Sequence, residues 1–272
     1  MLTINDDYQG FIKGIKYLTS IDLSFYKEAQ MKRRITTLYE KKGFNGFQDY
    51  YIHLRKDQYL LLELLDRMTI NVSNFFRNYK RWEVLETVIL PQLLSEKKTI
   101  KVWSAACSTG DEPYSLALVL SRLNALHRAS ILATDIDENV LEICRRGIYS
   151  DKSLEEVPAD LKNTYFTFEN GYYHIDQQIK NSITFKKHNL LADTFGQSYD
   201  LIICRNVLIY FTDEAKNRLY KQFSQSLRPG GILFVGSTEQ IFNPNLYDFV
   251  GVTTFFYQKK NNYAPGFLDK AK

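Results

Sequence analysis

What most constrains this chain is a change of rhythm at Thr99. Ahead of it, apolar side chains recur at the period of an amphipathic helix; beyond it, short apolar runs of strand length alternate with helical stretches. The spacing predicts helices over residues 8–18 (Phe11, Ile12, Ile15, Leu18), 27–42 (Met31, Ile35, Leu38, with Gly43 as its stop) and 58–68 (Leu61, Leu64, Leu65, Met68). Residues 69–78 (TINVSNFFRN) break the pattern, and a helix resumes over 82–94 with Pro91 near its end. Strands are expected at 100–103, 130–134, 182–187, 200–204 and 231–236, and helices at 112–124, 138–146 and 213–227, the signature of a doubly wound parallel sheet. The aromatic-rich run 253–259 reads as a last strand, antiparallel at the edge. Between 149 and 181 the rhythm is interrupted, and aromatics alternating around Asn170-Gly171 predict a β-hairpin with a type I′ turn. The expected organisation is a helical domain over 1–78, a linker helix over 79–98, and an α/β domain over 99–272 with a small antiparallel β insertion at about 149–181.

Composition narrows the function classes. At 272 residues with 44% hydrophobic content the chain can bury a sizeable core, and a net charge of +4 is too weak to imply a nucleic-acid partner. Cys107, Cys144 and Cys204 are scattered without metal-ligand spacing, which points to a reducing, cytosolic setting and no metal. The N-terminus lacks the pattern of a signal peptide and no apolar run reaches membrane-spanning length.

The first α/β crossover carries the first chemical signal. A loop of small residues, Ser104 to Gly110, links the strand to a helix opening with Asp111, Glu112 and Pro113. No Gly-Lys-Ser/Thr ends the loop and Gly110 is its only glycine, so neither a P-loop nor a full G-x-G-x-x-G is present. Acids at the helix start would repel a phosphate; a ligand bearing a positive charge or several hydroxyls suits them better. Asp135, 25 residues past Gly110 at the end of the second strand, is placed to grip ribose hydroxyls, although it or Asp137 could equally cap the helix that follows. Arg205-Asn206 and His188-Asn189 each follow an apolar strand at its C-terminal end, where polar side chains are either exposed loop residues or ligands. Lys27, Arg34 and Lys41 recur every seven residues and share a helix face, with Lys32 and Arg33 nearby; a solvated surface explains most such runs.

Six segments in order, TINVSNFFRN, VWSAACSTGDEPYSLAL, ATDID, HNLLAD, CRNVLIYF and GILFVGSTEQIF, resemble the chemotaxis receptor methyltransferases of the CheR family, most nearly those of Gram-positive bacteria. The resemblance runs from about residue 15 to 258. It implies a Rossmann-like methyltransferase domain behind a small all-α domain, with S-adenosylmethionine as methyl donor, S-adenosylhomocysteine as product, and receptor glutamates as substrate. Asn71, Ser73 and Arg77 match the family's inter-domain segment over the cofactor, Glu112 the acid beside the methionine amino group, and Asp135 the ribose acid. Asn189 and Leu190 match the adenine-side contacts, Arg205 and Asn206 the edge of the cleft, and Arg77 with Tyr210 the pair beside the transferred methyl. Taken without the resemblance, Arg77 would read as a surface ion pair and Tyr210 as a core aromatic.

The resemblance also implies that the second helix, through Lys27, Arg33, Arg34 and Lys41, docks the acidic methylation helices of transmembrane chemoreceptors. The expected protein is a cytoplasmic monomer recruited to receptor arrays, with no nucleic-acid partner and no membrane insertion. In some relatives the β insertion grips a peptide at the receptor C-terminus. The short hairpin here, with its single glycine, looks like that of relatives independent of such a tether. Two further readings stand beside this one: a methyltransferase of a nucleic acid or small molecule, and a catalytically silent module that senses the cofactor and docks on receptors. The absence of an Asn-Pro-Pro-Tyr-like motif weighs against amino-group methylation, and the retention of Arg77, Glu112, Asp135 and Tyr210 together weighs against silence.

Overall fold

The computed structural model describes residues 4–68 and 73–261. The chain divides into two compact units, one made of Met1–Asn71, Leu191–Asp193 and Tyr210–Leu219, the other of Val72–Leu190, Thr194–Ile209 and Tyr220–Lys272.

The first unit contains four helices, α1 (Ile4–Thr19), α2 (Glu28–Lys41), α3 (Phe47–Leu54) and α4 (Gln58–Met68). Its core is aromatic. Phe11 of α1 stacks on Tyr50 of α3 at 6.2 Å, and Phe47 meets Tyr8 edge-on at 5.1 Å. Met31, Ile35 and Leu38 form the buried stripe of α2, as their spacing requires, and Asp57 starts α4 by accepting hydrogen bonds from the Tyr59 and Leu60 amides. Helix α3 was not expected: its eight residues sit close behind Gly43 and Gly46 and are too few to establish a period. The segment after Ile209 is stitched into this unit by the backbone. Tyr26 and Phe211 form an antiparallel bridge, the Lys27 amide donates to the Tyr210 carbonyl, and the Thr212 amide donates to that of Phe25.

The second unit opens with one helical rod, α5 (Tyr79–Val84), a π-helical turn over Leu85–Ile89, and α6 (Leu90–Glu96). Pro91 lacks the amide that an α-helix would use, and the wide turn lies immediately before it. Seven strands then build the main sheet: β1 (Ile100–Ala105), β2 (Ala129–Asp135), β6 (Ile183–Lys187), β7 (Tyr199–Cys204), β8 (Leu227–Val235), β9 (Phe249–Thr253) and β10 (Phe256–Lys259). Their order is β6-β2-β1-β7-β8-β10-β9, with the first five parallel and β10 antiparallel to both its neighbours. Helices α7 (Asp111–Arg122), α8 (Glu138–Arg146) and α11 (Asp213–Ser226) follow β1, β2 and β7. The expected single terminal strand is a hairpin instead, and its first arm, β9, is the edge while β10 inserts beside β8. Phe256 of β10 stacks on Phe234 of β8 at 4.2 Å, which gives the inner position to the more buried arm.

Strands β3 (Ile148–Tyr149), β4 (Phe166–Glu169) and β5 (Tyr172–Ile175) form a separate antiparallel sheet in the order β3-β5-β4. Asn170 and Gly171 both take positive φ, 51° and 84°, as a type I′ turn demands. Two short helices absent from the expectation, α9 (Ala159–Tyr165) and α10 (Gln177–Asn181), flank this insertion.

Candidate active site

In an open α/β sheet, ligands bind beyond the carboxyl ends of the strands where the order reverses. Here the chain winds from β1 through β2 to β6 and then returns to β7 on the other side of β1. The reversal therefore lies between β1 and β7, and the site is built from the residues after these strands.

The loop after β1 is tightly wound. Ala106, Ser108 and Gly110 all have positive φ, at 61°, 50° and 90°. The loop is pinned from outside by the Thr134 carbonyl, which accepts from the Cys107 amide, and by the Tyr149 hydroxyl, which donates to the Thr109 carbonyl. A Cβ on Gly110 would stand 2.9 Å from the Cys144 sulfur and 3.0 Å from the Tyr149 oxygen, in a backbone conformation that L side chains rarely adopt. Gly110→Ala should therefore destabilise the protein by roughly 1–3 kcal/mol and weaken ligand binding at the loop. A thermal melt within about a degree of the parent would contradict that.

Three carboxylates surround the loop. Asp135 accepts the Ser108 amide at 2.8 Å and the Asp137 amide at 3.0 Å, and of the two aspartates it is Asp137 that caps α8, through the Asn139 amide. Asp111 is held by the Thr109 hydroxyl at 2.6 Å and by a hydrogen bond from Ser73. Glu112 is buried and accepts from the Ser104 hydroxyl at 2.8 Å, with the Arg205 guanidinium 3.7 Å away. Burial pushes all three carboxyls up, Glu112 to about 7 despite the opposing pull of Arg205.

Arg205, directly after β7, is the cation of the site. One guanidinium nitrogen donates to the Arg77 carbonyl at 2.7 Å and to the Asn78 side chain at 3.3 Å. The group lies 4.7 Å from the Phe234 ring centre and 5.7 Å from that of Trp82, and burial among these rings lowers its pKa. The segment that supplies Arg77 is itself constrained. Phe76 and Asn78 have positive φ, and the Phe76 amide donates to the Ser115 hydroxyl at 2.8 Å. A phenylalanine in this region is an outlier held by its surroundings.

Of the residues picked out in the sequence, Ser73, Arg77, Glu112, Asp135, Arg205 and Asn206 all lie in the second unit, where Arg205 meets Glu112 and the Arg77 carbonyl, Ser73 bonds Asp111, and Asp135 bonds the Ser108 amide. Asn189 and the buried Leu190 follow β6, next to His188, whose amide donates to the Asp135 carbonyl. Asn71 lies outside the described residues. Tyr210 falls in the first unit, where the Arg34 guanidinium sits over its ring at 5.5 Å and its carbonyl accepts from Lys27. Arg33 and Lys41 are exposed on α2, and Lys27 precedes the helix as its cap residue rather than lying within it. Sequence reasoning missed Ser104, Asn78 and Glu239. The first two are common polar residues with no signature, while Glu239 stood unremarked within a quoted motif.

Against this geometry, comparison with known proteins is decisive. Residues 71–256 match the family described as "CheR methyltransferase, SAM binding domain", and residues 6–69 match "CheR methyltransferase, all-alpha domain". The chain belongs to the CheR methyltransferase family. A chemotaxis protein methyltransferase of Listeria monocytogenes is 44% identical over 257 residues, covering 94% of this chain and 98% of the relative. One of Borreliella burgdorferi is 33% identical, covering 94% of each, and one of Vibrio parahaemolyticus 31%, covering 100% and 99%.

The cofactor of this CheR-family protein is S-adenosylmethionine. The donor set fits it. Buried carboxylates flank the loop where a phosphate ligand would need cations, and a cofactor carrying an ammonium and a sulfonium suits them. The Ser108 hydroxyl oxygen is buried in the loop without a protein hydrogen-bond partner, a polar atom available to a ligand. Asp135 accepts from three amides, those of Ser108, Ile136 and Asp137, and a carboxylate has acceptor capacity beyond three bonds for a ribose hydroxyl. Among the described residues, no helix is long and apolar enough to cross a membrane.

Proposed function

We propose that this CheR-family protein methylates the γ-carboxylates of specific glutamates on the cytoplasmic helices of chemoreceptors, forming methyl esters that serve sensory adaptation. The observation that carries the reading is the Arg34 guanidinium over the Tyr210 ring, 5.5 Å from its centre, with Arg33 exposed on the same helix. A candidate reactive residue beside a positive side chain favours an anionic substrate, and charge complementarity would steer its encounter.

S-adenosylmethionine supplies the electrophilic methyl group. A glutamate carboxylate is ionised at neutral pH, so its oxygen takes the methyl without losing a proton and no general base is needed. The chain's own task is then to bind, orient and exclude water. Glu112 and Asp135 hold the donor's cationic and hydroxyl groups, Arg205 and Asn206 close the edge, and Asn189 and Leu190 line the adenine side. Arg77 orients the substrate carboxylate, and Tyr210 lies beside the reacting centre. Lys27, Arg33, Arg34 and Lys41 dock the receptor. The protein acts in the cytoplasm at receptor arrays, as a monomer and without a peptide tether at the β insertion. The division of labour follows the notional boundaries 1–78, 79–98 and 99–272.

Labelled methyl transfer to receptor-bearing membranes, followed by mild alkali, tests this directly. A carboxyl methyl ester is expected to release volatile methanol. Alkali-stable label would point to methylation of an amine, on nucleic acid or another substrate, and cofactor binding without transfer would point to a silent receptor-docking module.

A further inference from the structure

Glu239 is a buried carboxylate with no assigned part in the chemistry, and it is used heavily. It follows β8 in the turn Gly236 to Glu239, where its own amide donates to the Gly236 carbonyl. One carboxylate oxygen accepts the amides of Asn206 at 2.7 Å and Gly236 at 2.8 Å. The other accepts the Ile209 amide at 3.2 Å, and the Leu208 amide also bonds to the group. Four amides from the loops after two adjacent parallel strands therefore converge on a single side chain.

The approach is close enough to dictate its neighbours. A Cβ on Gly236 would come within 2.4 Å of the carboxylate and 2.8 Å of the Asn206 nitrogen. Asn206 itself is in the left-handed region, at φ 61°. That conformation turns the chain directly after Arg205, whose side chain runs to Glu112 and to the Arg77 carbonyl. The charge of Glu239 also acts on both Arg205 and Glu112.

The geometry points to Glu239 as a positioning residue that shapes the Arg205–Asn206 corner for the cofactor by gathering the amides of the two loops. Charge-assisted bonds from amides are strong and directional, so a neutral replacement of equal length loses both the charge and part of the acceptor set. This rests on the proposed reading of Arg205 and Asn206 as cofactor ligands.

The test measures S-adenosylhomocysteine affinity by calorimetry on the full chain, in parallel with thermal stability. Glu239→Gln is expected to weaken binding roughly tenfold or more. The comparator is Asp200→Asn, which breaks a buried network with Lys97, Lys101 and Arg228 at the start of β7, away from the ligand edge. At a matched loss of melting temperature it should change affinity less than about twofold. In amide spectra of the parent, the Asn206 and Gly236 protons should lie far downfield, and they should move upfield in Glu239→Gln. Arg205→Ala separates the two levels of the argument. If it weakens binding while Glu239→Gln does not, the positioning role is overturned alone. Normal binding by Arg205→Ala overturns the reading of the corner and the positioning role with it. Equal losses in Glu239→Gln and Asp200→Asn would reduce Glu239 to a structural residue. Should Glu239→Gln not fold, Glu239→Asp, which keeps the charge but withdraws it by one methylene, decides by the same comparison.

Discussion

Arg77→Ala is expected to lower kcat for methyl transfer by roughly 100-fold or more while leaving the cofactor Kd within about threefold. The structure gives a reason for the split. What Arg205 takes from Arg77 is its backbone carbonyl, at 2.7 Å, and alanine keeps that carbonyl. The replacement therefore leaves the Arg205 anchor in place and removes only the guanidinium assigned to orient the substrate carboxylate. Arg77→Lys should fall between the two, because a lysine retains the charge but not the planar two-pronged donor geometry. Single-turnover transfer to receptor-bearing membranes, with cofactor affinity measured separately, reads both quantities. A variant that methylates at the parental rate would remove Arg77 from the reaction.

The second large effect is a pH dependence of cofactor binding. Burial holds Glu112 at about 7, with Arg205 and Ser104 pulling it down and Glu239 pushing it up. A cationic ligand binds the ionised carboxylate, so affinity should rise as pH increases through about 7, by roughly fivefold or more between pH 6 and 7.5. For the free protein the sign is opposite. The folded pKa lies above the unfolded one, so Glu112 contributes stability that is fully present below about 4.5 and lost as pH rises through about 7. Asp111, Asp135 and Glu239 are shifted in the same direction by burial and act with the same sign. The melting-temperature gain on adding cofactor should therefore be larger at pH 7.5 than at pH 6. Glu112→Gln should abolish most of that difference and weaken binding at pH 7.5 by roughly ten- to 100-fold. If the pH slope survives in Glu112→Gln, another group is responsible.

Where the sequence was legible, a local pattern coincided with a global requirement. The central strands β7 and β8 carry continuous buried apolar runs, at residues 201–204 and 232–235, because both faces are covered, and both runs were found. The Asn-Gly hairpin was readable because that pair is among the few that readily tolerate two successive positive φ values. The acids in the first turn of α7 were legible because charge is a property of composition rather than of fold. The failures are pairings and conformations that no local pattern encodes. The order of β9 and β10 depends on which arm buries Phe256 against Phe234. Helix α3 owes its place to aromatic contacts with α1, from Phe11 to Phe47 and Tyr50. Glu239 gave no sign of itself because its partners are backbone amides, which every sequence possesses.

The convergence of four amides on Glu239 has a consequence for how the protein is made. The ribosome delivers the small-residue loop, Glu112 and Asp135 well before Arg205, and Glu239 later still. At about 5–20 residues per second, the interval from Glu112 to Glu239 lasts on the order of ten seconds. For the first part of it Glu112 has been made without Arg205, and for the rest Arg205 has been made without Glu239. The corner that holds Arg205 against Glu112 therefore draws on residues made far apart in time, and it is complete only once the turn after β8 exists.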